Sequence, residues 1–202
     1  DVNRIFMPVL QEFSGKYPDL DITVAYHSFE KLRKGLEKGD FDLIYTFDFD
    51  VKYIREEVVF DPLFPIKPVF VISERHPMFS REQLDVADLA KEEFFLPEAR
   101  DAPGREEDLR MILSAYGIRN SRIRFMPNLE SVLFQMRTGR GVAMSDDASA
   151  VCLEKGVRRI ELDKYRGSLN LVAVWCKNNL NPMLPLLLRY CVDLQGIWPG
   201  KV

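Results

Sequence analysis

Histidine and cysteine are scarce in this 202-residue chain, with two and three copies. His27 and His76 sit in no HExxH or H-x-E setting, so the sequence offers no His-rich zinc or iron centre. Cys152, Cys176 and Cys191 are odd in number and show no CxxC spacing. That fits free core thiols in a reducing compartment better than a disulfide framework. No apolar stretch approaches the roughly 18 residues of a membrane span. The apolar run near the end, Met183 to Leu188, is short and broken by Pro185. The first residues do not read as a secretory signal. Charge of neither sign dominates: 28 Lys and Arg stand against 31 Asp and Glu, a net charge of −3. A chain that is mildly acidic lacks the basic footprint of a stand-alone nucleic-acid binder.

Catalytic motifs are missing too. There is no GxSxG and no GxxxxGK phosphate loop. Gly139-Arg140-Gly141 lacks the third glycine of a dinucleotide fingerprint and falls after a helix and before a strand, the reverse of the order that motif needs. Asp40, Asp42, Asp48 and Asp50 match no calcium loop, and the first two flank a strand start. We therefore expect no cofactor, no metal and no enzymatic activity.

What is present is an ordinary globular composition, 47% hydrophobic and 29% charged. The length allows one large domain or two small ones, with about 70% of the unfolded surface buried. Ile5, Phe6, Val9, Leu10 and Phe13 form one apolar stripe of a first helix that Gly15 ends. Asp21 to Tyr26 alternates as a strand does. A helix follows over Phe29 to Lys38, ended by Gly39, and then a strand over Phe41 to Thr46. Pro68 to Ser73 reads as a buried strand, and Ser80 to Gln83 has capping-box spacing before a short helix near Asp85 to Ala90. Glu93 to Pro97 is a strand, Glu98 to Gly104 a charged loop, Arg105 to Tyr116 a helix and Arg122 to Met126 a strand. Leu129 to Thr138 is a helix and Gly141 to Ser145 a strand. Strands at Arg158 to Leu162 and Leu169 to Trp175 precede a last helix opened by Pro182, and the tail from Gly196 reads as loose.

Helix, glycine, strand, helix, glycine, strand occurs twice, with glycines at Gly15 and Gly39, then at Gly117 and Gly139. Any α/β chain shows some such alternation, but two similar halves would place a ligand cleft between them. Phe94-Phe95-Leu96 precedes the first helix of the second half, and nothing precedes the helix at Arg4. A further strand is therefore expected upstream of the first residue. His27 follows a strand and faces either a cleft or solvent. Asp146-Asp147 ends a strand, where a carboxylate either meets a ligand or caps the next segment.

An ordered set of residues resembles a known family. It comprises Phe6-Met7-Pro8, Phe13, Tyr17 to Ile22, Leu32, Leu36 to Leu43, Pro62-Leu63, Ser73 to Met78, Asp88-Leu89, Gly117, Leu129 to Val132, Gly139 to Ala143 and the closing strand and helix. The pattern resembles the effector-binding (substrate-binding) domain of LysR-type transcriptional regulators. The resemblance implies an α/β fold of the type 2 periplasmic-binding-protein kind, two subdomains joined by two crossovers with a ligand cleft between them. Subdomain I would comprise residues 1–67 and 172–202, and subdomain II residues 68–171. An N-terminal winged helix-turn-helix and linker helix, through which such regulators bind DNA, have no counterpart here.

The resemblance also implies a site. Its lining would come from Asn3, from His27, Ser28 and Phe29, and from Thr46 and Phe47. The second subdomain would add Pro97, Arg100, Asn128, Ser145 and Asp146. Family members often carry proline where Asp146 stands, and the loop from Glu98 to Asp101 is unusually charged, which leaves an amine-bearing effector open. The implied protein is a bacterial, cytoplasmic homodimer or homotetramer that senses a small-molecule effector and does not contact membranes. The rival of the same fold is an extracytoplasmic solute-binding protein.

Overall fold

The structure, a computed structural model, describes residues 2–167 and 169–193. It divides into two compact units, 1–65 with 170–202, and 66–169.

The first unit opens with α1 (Val2–Lys16), whose Phe6, Val9 and Phe13 are buried at helical spacing. Residues 20–28 then run with no regular structure, where a strand over Asp21 to Tyr26 is expected. Alternation marks the faces of a strand, but a strand forms only where a second backbone pairs with it. No described strand lies alongside this segment, and Val24 and Tyr26 stay 49% and 64% exposed. The chain continues through α2 (Phe29–Lys38), β1 (Ile44–Phe47), the single turn α3 (Asp48–Val51) and β2 (Val58–Ile66). Pro62 and Pro65 within β2 remove ladder donors, which hid the strand from sequence reading. Both are tolerated because β2 lies at an edge of the sheet.

The remaining strand and helix of this unit are β8 (Leu169–Cys176) and α6 (Leu184–Asp193), from the far end of the chain. The helix starts two residues after the expected Pro182. The sheet order is β1-β8-β2, with β1 antiparallel to β8 and Thr46 opposite Val172. Leu36, Ile44, Ile54, Val172 and Val174 form its core, and Leu32 packs on them. Helix α1 packs against α6, and Phe6 stacks on Tyr45 at 3.8 Å between ring centroids. The tail from Gly196 and the side chain of Cys191 lie outside the described residues.

The second unit is built on β3 (Pro68–Ser73), β4 (Glu93–Pro97), β5 (Arg122–Met126), β6 (Val142–Asp146) and β7 (Val157–Glu161). Their order is β5-β4-β6-β3-β7. Strands β5, β4 and β6 run parallel, and β3 is antiparallel to both β6 and β7. Helices α4 (Arg105–Ala115) and α5 (Leu129–Arg137) supply the covering layers. Phe70, Ile72, Phe94, Leu96, Val142 and Met144 pack with Leu109, Ile112 and Leu113 of α4. Their strand neighbours Val69, Val71, Phe95 and Ala143 pack with Val132 and Met136 of α5. A sheet covered on both faces needs apolar residues at every strand position, which is why these strands read as continuous apolar runs.

Gly139 closes α5 at φ +77°, and a β-carbon there would stand 2.6 Å from the Arg75 carbonyl oxygen. The short 3-10 helix at Val86–Lys91 takes its capping box from Asp85 and Asp88, not from Ser80 to Gln83. The Asp88 carboxylate accepts from the Asp85 N–H at 2.9 Å. Residues 80–85 stay outside any helix, so the earlier box has no helix start to cap.

Candidate functional site

Parallel strands end together, and in this unit the ends gather four of the implied site residues. Pro97 closes β4 and is paired with Met126 of β5, two residues before Asn128. The Glu98 N–H extends that pairing to the Met126 carbonyl at 2.7 Å. On the other side Phe95 pairs with Ala143 of β6, so the same register carries Ser145 alongside Pro97. Pro97, Asn128, Ser145 and Asp146 thus lie along one carboxyl edge, the usual place for ligands in open α/β sheets.

Their side chains are not equally free. The Asn128 carboxamide oxygen accepts from the Ser131 N–H at 2.9 Å, so it caps α5. Asp146 accepts from the Ala148 N–H at 3.1 Å and caps no helix. Burial pushes its carboxyl up to about 6; the Ala148 hydrogen bond opposes this and the Asp147 charge adds to it. Asp147 is committed elsewhere, accepting from the Lys67 N–H at 2.8 Å. Arg100, the cation expected in this loop, is exposed and pairs with Glu98 at 3.8 Å.

The arginine that sequence reading missed is Arg105, in the first turn of α4. Its side chain is only 12% exposed and it pairs with Asp108 at 3.1 Å. Burial pushes its guanidinium down from its ordinary value, and the Asp108 and Asp146 charges act against that. Arg100 and Arg105 look alike in sequence, and only the fold of the loop between β4 and α4 decides which is buried.

In the first unit Asn3 lies in the first turn of α1, and its side chain is outside those described. Ser28 is the N-cap residue of α2 in extended conformation, yet its hydroxyl makes no cap hydrogen bond. His27 is half-buried, with its ring 5.5 Å from that of Phe41. Thr46 is buried, and its hydroxyl donates to Asp50 at 2.9 Å. The Arg33 guanidinium pairs with the other oxygen of Asp50. Two charges taken out of water cost several kcal/mol each unless geometry and hydrogen bonds offset it, so this trio is a structural lock. Asp48 is held as well, accepting from the Asn170 backbone N–H at 3.1 Å and side-chain amide at 2.7 Å. Phe29, Phe47 and Phe49 contact one another at ring-centroid separations of 5.7–5.8 Å. The acidic residues Asp48 and Asp50 are therefore anchors. Among the described residues, no group of His, Cys, Asp and Glu side chains could hold a metal ion. No helix among them is long and apolar enough to cross a membrane.

A discontinuous first unit, an inserted second unit and a helix-covered sheet in each define an α/β domain of the type 2 periplasmic-binding-protein-like class. The chain matches the LysR substrate binding domain family over residues 2–195 and belongs to it, a family of transcriptional regulators. Among proteins of curated function, none matches it. Its fold is similar to that of HinK, a LysR family transcriptional regulator from Pseudomonas aeruginosa, at 24% identity and TM-score 0.70, covering 96% of this chain and 67% of that one. The regulatory domain of CcmR from Synechocystis PCC6803, in complex with 2-PG, is similar at 16% identity and TM-score 0.73, covering 96% and 92%. The effector-binding domain of QuiR, in complex with shikimate, is similar at 15% identity and TM-score 0.72, covering 94% and 90%.

Proposed function

We propose that this chain is the effector-sensing part of a LysR-type transcriptional regulator, that it takes a small molecule, and that its subdomains are formed by 1–67 with 172–202 and by 68–171. The observation that carries this reading is the family match over residues 2–195, joined to the gathering of Pro97, Asn128, Ser145 and Asp146 at one carboxyl edge. CcmR and QuiR, similar in fold, are bound to 2-PG and shikimate, both small molecules. In the first unit the candidate contacts are Ser28, Phe29 and Phe47, and in the second Pro97, Asn128, Ser145 and Asp146. Arg105 takes over the role that Arg100 has in the sequence reading. Thr46 acts from beneath by holding Asp50.

The effector is bound and released unchanged. It binds one conformation of the regulator better than another, and that differential affinity shifts the population. The whole regulator is a cytoplasmic homodimer or homotetramer, and DNA is contacted by a domain outside this chain.

A thermal-shift screen of the purified domain against metabolites tests the reading. A ligand at 100 times its Kd stabilises by about 2.7 kcal/mol, which raises the melting temperature by roughly 5–10 °C at this size. Asp146→Ala should reduce that shift and the response of a reporter gene together. A folded domain that no metabolite stabilises, with reporter regulation unaffected by Ser28→Ala and Asp146→Ala, would exclude the site.

A further inference from the structure

Residues 46–50, Thr-Phe-Asp-Phe-Asp, reverse the usual assignment of side chains to core and water. Thr46 and Asp50 are 2% and 0% exposed, whereas Phe47 and Phe49 are only half-buried. Apolar surface left toward water costs about 25 cal/mol per Å², and charged groups are almost never fully buried unless paired. Asp50 keeps to the second rule, paired with Arg33 and Thr46, so the departure lies in Phe47 and Phe49, two large apolar side chains left partly toward water beside a fully paired buried charge.

The polar residues immobilise the segment. Thr46 and Arg33 hold Asp50, and Asn170 of β8 holds Asp48 with two hydrogen bonds. The backbone carrying Phe47 and Phe49 is therefore tied to α2 on one side and to the sheet on the other. Phe29, the first residue of α2, completes the group. Phe47 and Phe49 are stacked with 28° between their planes, and Phe29 meets Phe49 at 64°. With centroids 5.7–5.8 Å apart the three rings touch, so a ligand would lie against the outside of the cluster rather than between its rings. Such a face is ordered before the ligand arrives, which removes the cost of ordering it on binding. The Ser28 hydroxyl, which makes no cap hydrogen bond, stands next in the chain to Phe29.

We propose that the effector presents a planar apolar ring and that the Phe29, Phe47 and Phe49 face receives it. This rests on the effector-sensing reading above. Phe47 and Phe49 set which effectors are accepted, and Thr46, Asp48, Asp50 and Arg33 are positioning residues that hold them.

The test is a metabolite panel, half of it carrying a planar ring and half ring-free, matched for size and charge (3-phenylpropionate against hexanoate, phenylethylamine against hexylamine). It is read by thermal shift and then by calorimetric titration. The stabilising members should carry a ring and bind about 2–12-fold tighter than their ring-free partners, the range that aromatic contacts add beyond area burial. Phe47→Leu and Phe49→Leu, each checked for folding by circular dichroism, should bring that ratio toward one. Phe134→Leu, on an exposed position of the second unit (62% exposed), should leave it unchanged. Binding confined to ring-free members, or a ratio that survives both leucine variants, overturns the ring proposal and leaves effector sensing standing. A panel in which nothing binds overturns effector sensing and the ring proposal with it.

Discussion

Removing the carboxylate of Asp50 should unfold the first unit at markedly lower temperature. Asp50 is 0% exposed and joins Arg33, 6% exposed, to the Thr46 hydroxyl. In Asp50→Ala the Arg33 guanidinium stays buried with its carboxylate gone, and the Thr46 hydroxyl loses its acceptor. Breaking a buried pair by deleting one partner costs about 3–5 kcal/mol. For a chain of about 200 residues, each kcal/mol moves the midpoint by roughly 2–4 °C, so the expected loss is about 6–20 °C. Differential scanning calorimetry reads this directly, and urea unfolding gives the free energy. Two controls sharpen it. Glu57→Ala breaks the pair with Lys177, whose side chains are 83% and 70% exposed, and should cost about 0–1 kcal/mol. The double change Arg33→Met with Asp50→Leu leaves no unpaired charge and should recover most of the loss, since apolar replacements of buried pairs are often neutral or stabilising. A loss below about 1 kcal/mol in Asp50→Ala would show that the trio is solvated, and the rigid support argued for Phe47 and Phe49 would fall with it.

The Asp146 carboxyl, pushed up to about 6 by burial, carries a pH signature. Its folded value lies above the unfolded one, so the folded state holds the extra proton, and stability falls as pH rises from about 4 through about 6. Asp146→Asn should therefore stabilise at pH 7.5 by about 1–3 kcal/mol and make no difference below about pH 4; a pH-independent difference in calorimetry would refute this. Gly139→Ala should destabilise by more than about 1 kcal/mol in urea titration, because it forces a left-handed φ and a β-carbon 2.6 Å from the Arg75 carbonyl oxygen. Asn128→Ala removes the α5 cap and should cost about 1 kcal/mol, whereas Asn128→Ser should keep most of it.

Much of the fold was legible because its signals are local. The apolar runs Val69 to Ile72, Phe94 to Leu96 and Val142 to Met144 reflect a sheet covered on both faces, and the structure uses them in that way. Helix α2 spans Phe29–Lys38 as its periodicity and Gly39 imply. The candidate site was legible only in outline. Ser28, Asn128 and Asp146 are found at helix starts and strand ends, but Asn128 is spent on a cap and Thr46 on Asp50. Phe49 carries a signal in the strict polar-apolar alternation from Thr46 to Asp50, which the acidic residues of the same stretch mask.

The sequence by itself determined the helices α2, α4 and α5, the buried strand from Pro68 to Ser73, and the glycines that follow those helices, Gly39, Gly117 and Gly139; Gly15, expected to end the first helix, lies inside α1, which runs on to Lys16. Those properties depend on residues three to five positions apart, and periodicity records them. Only the tertiary structure decided that residues 21–26 pair with no described strand, that β2 tolerates two prolines at a sheet edge, and that Arg105 is buried where Arg100 is not. It likewise decided that Asp48 and Asp50 are anchors, through partners 122 and 17 residues away in the chain. Strand pairing and the burial of charge are set by whatever the chain brings alongside. A carboxylate destined for a buried pair is written in sequence with the same letter as one destined for water.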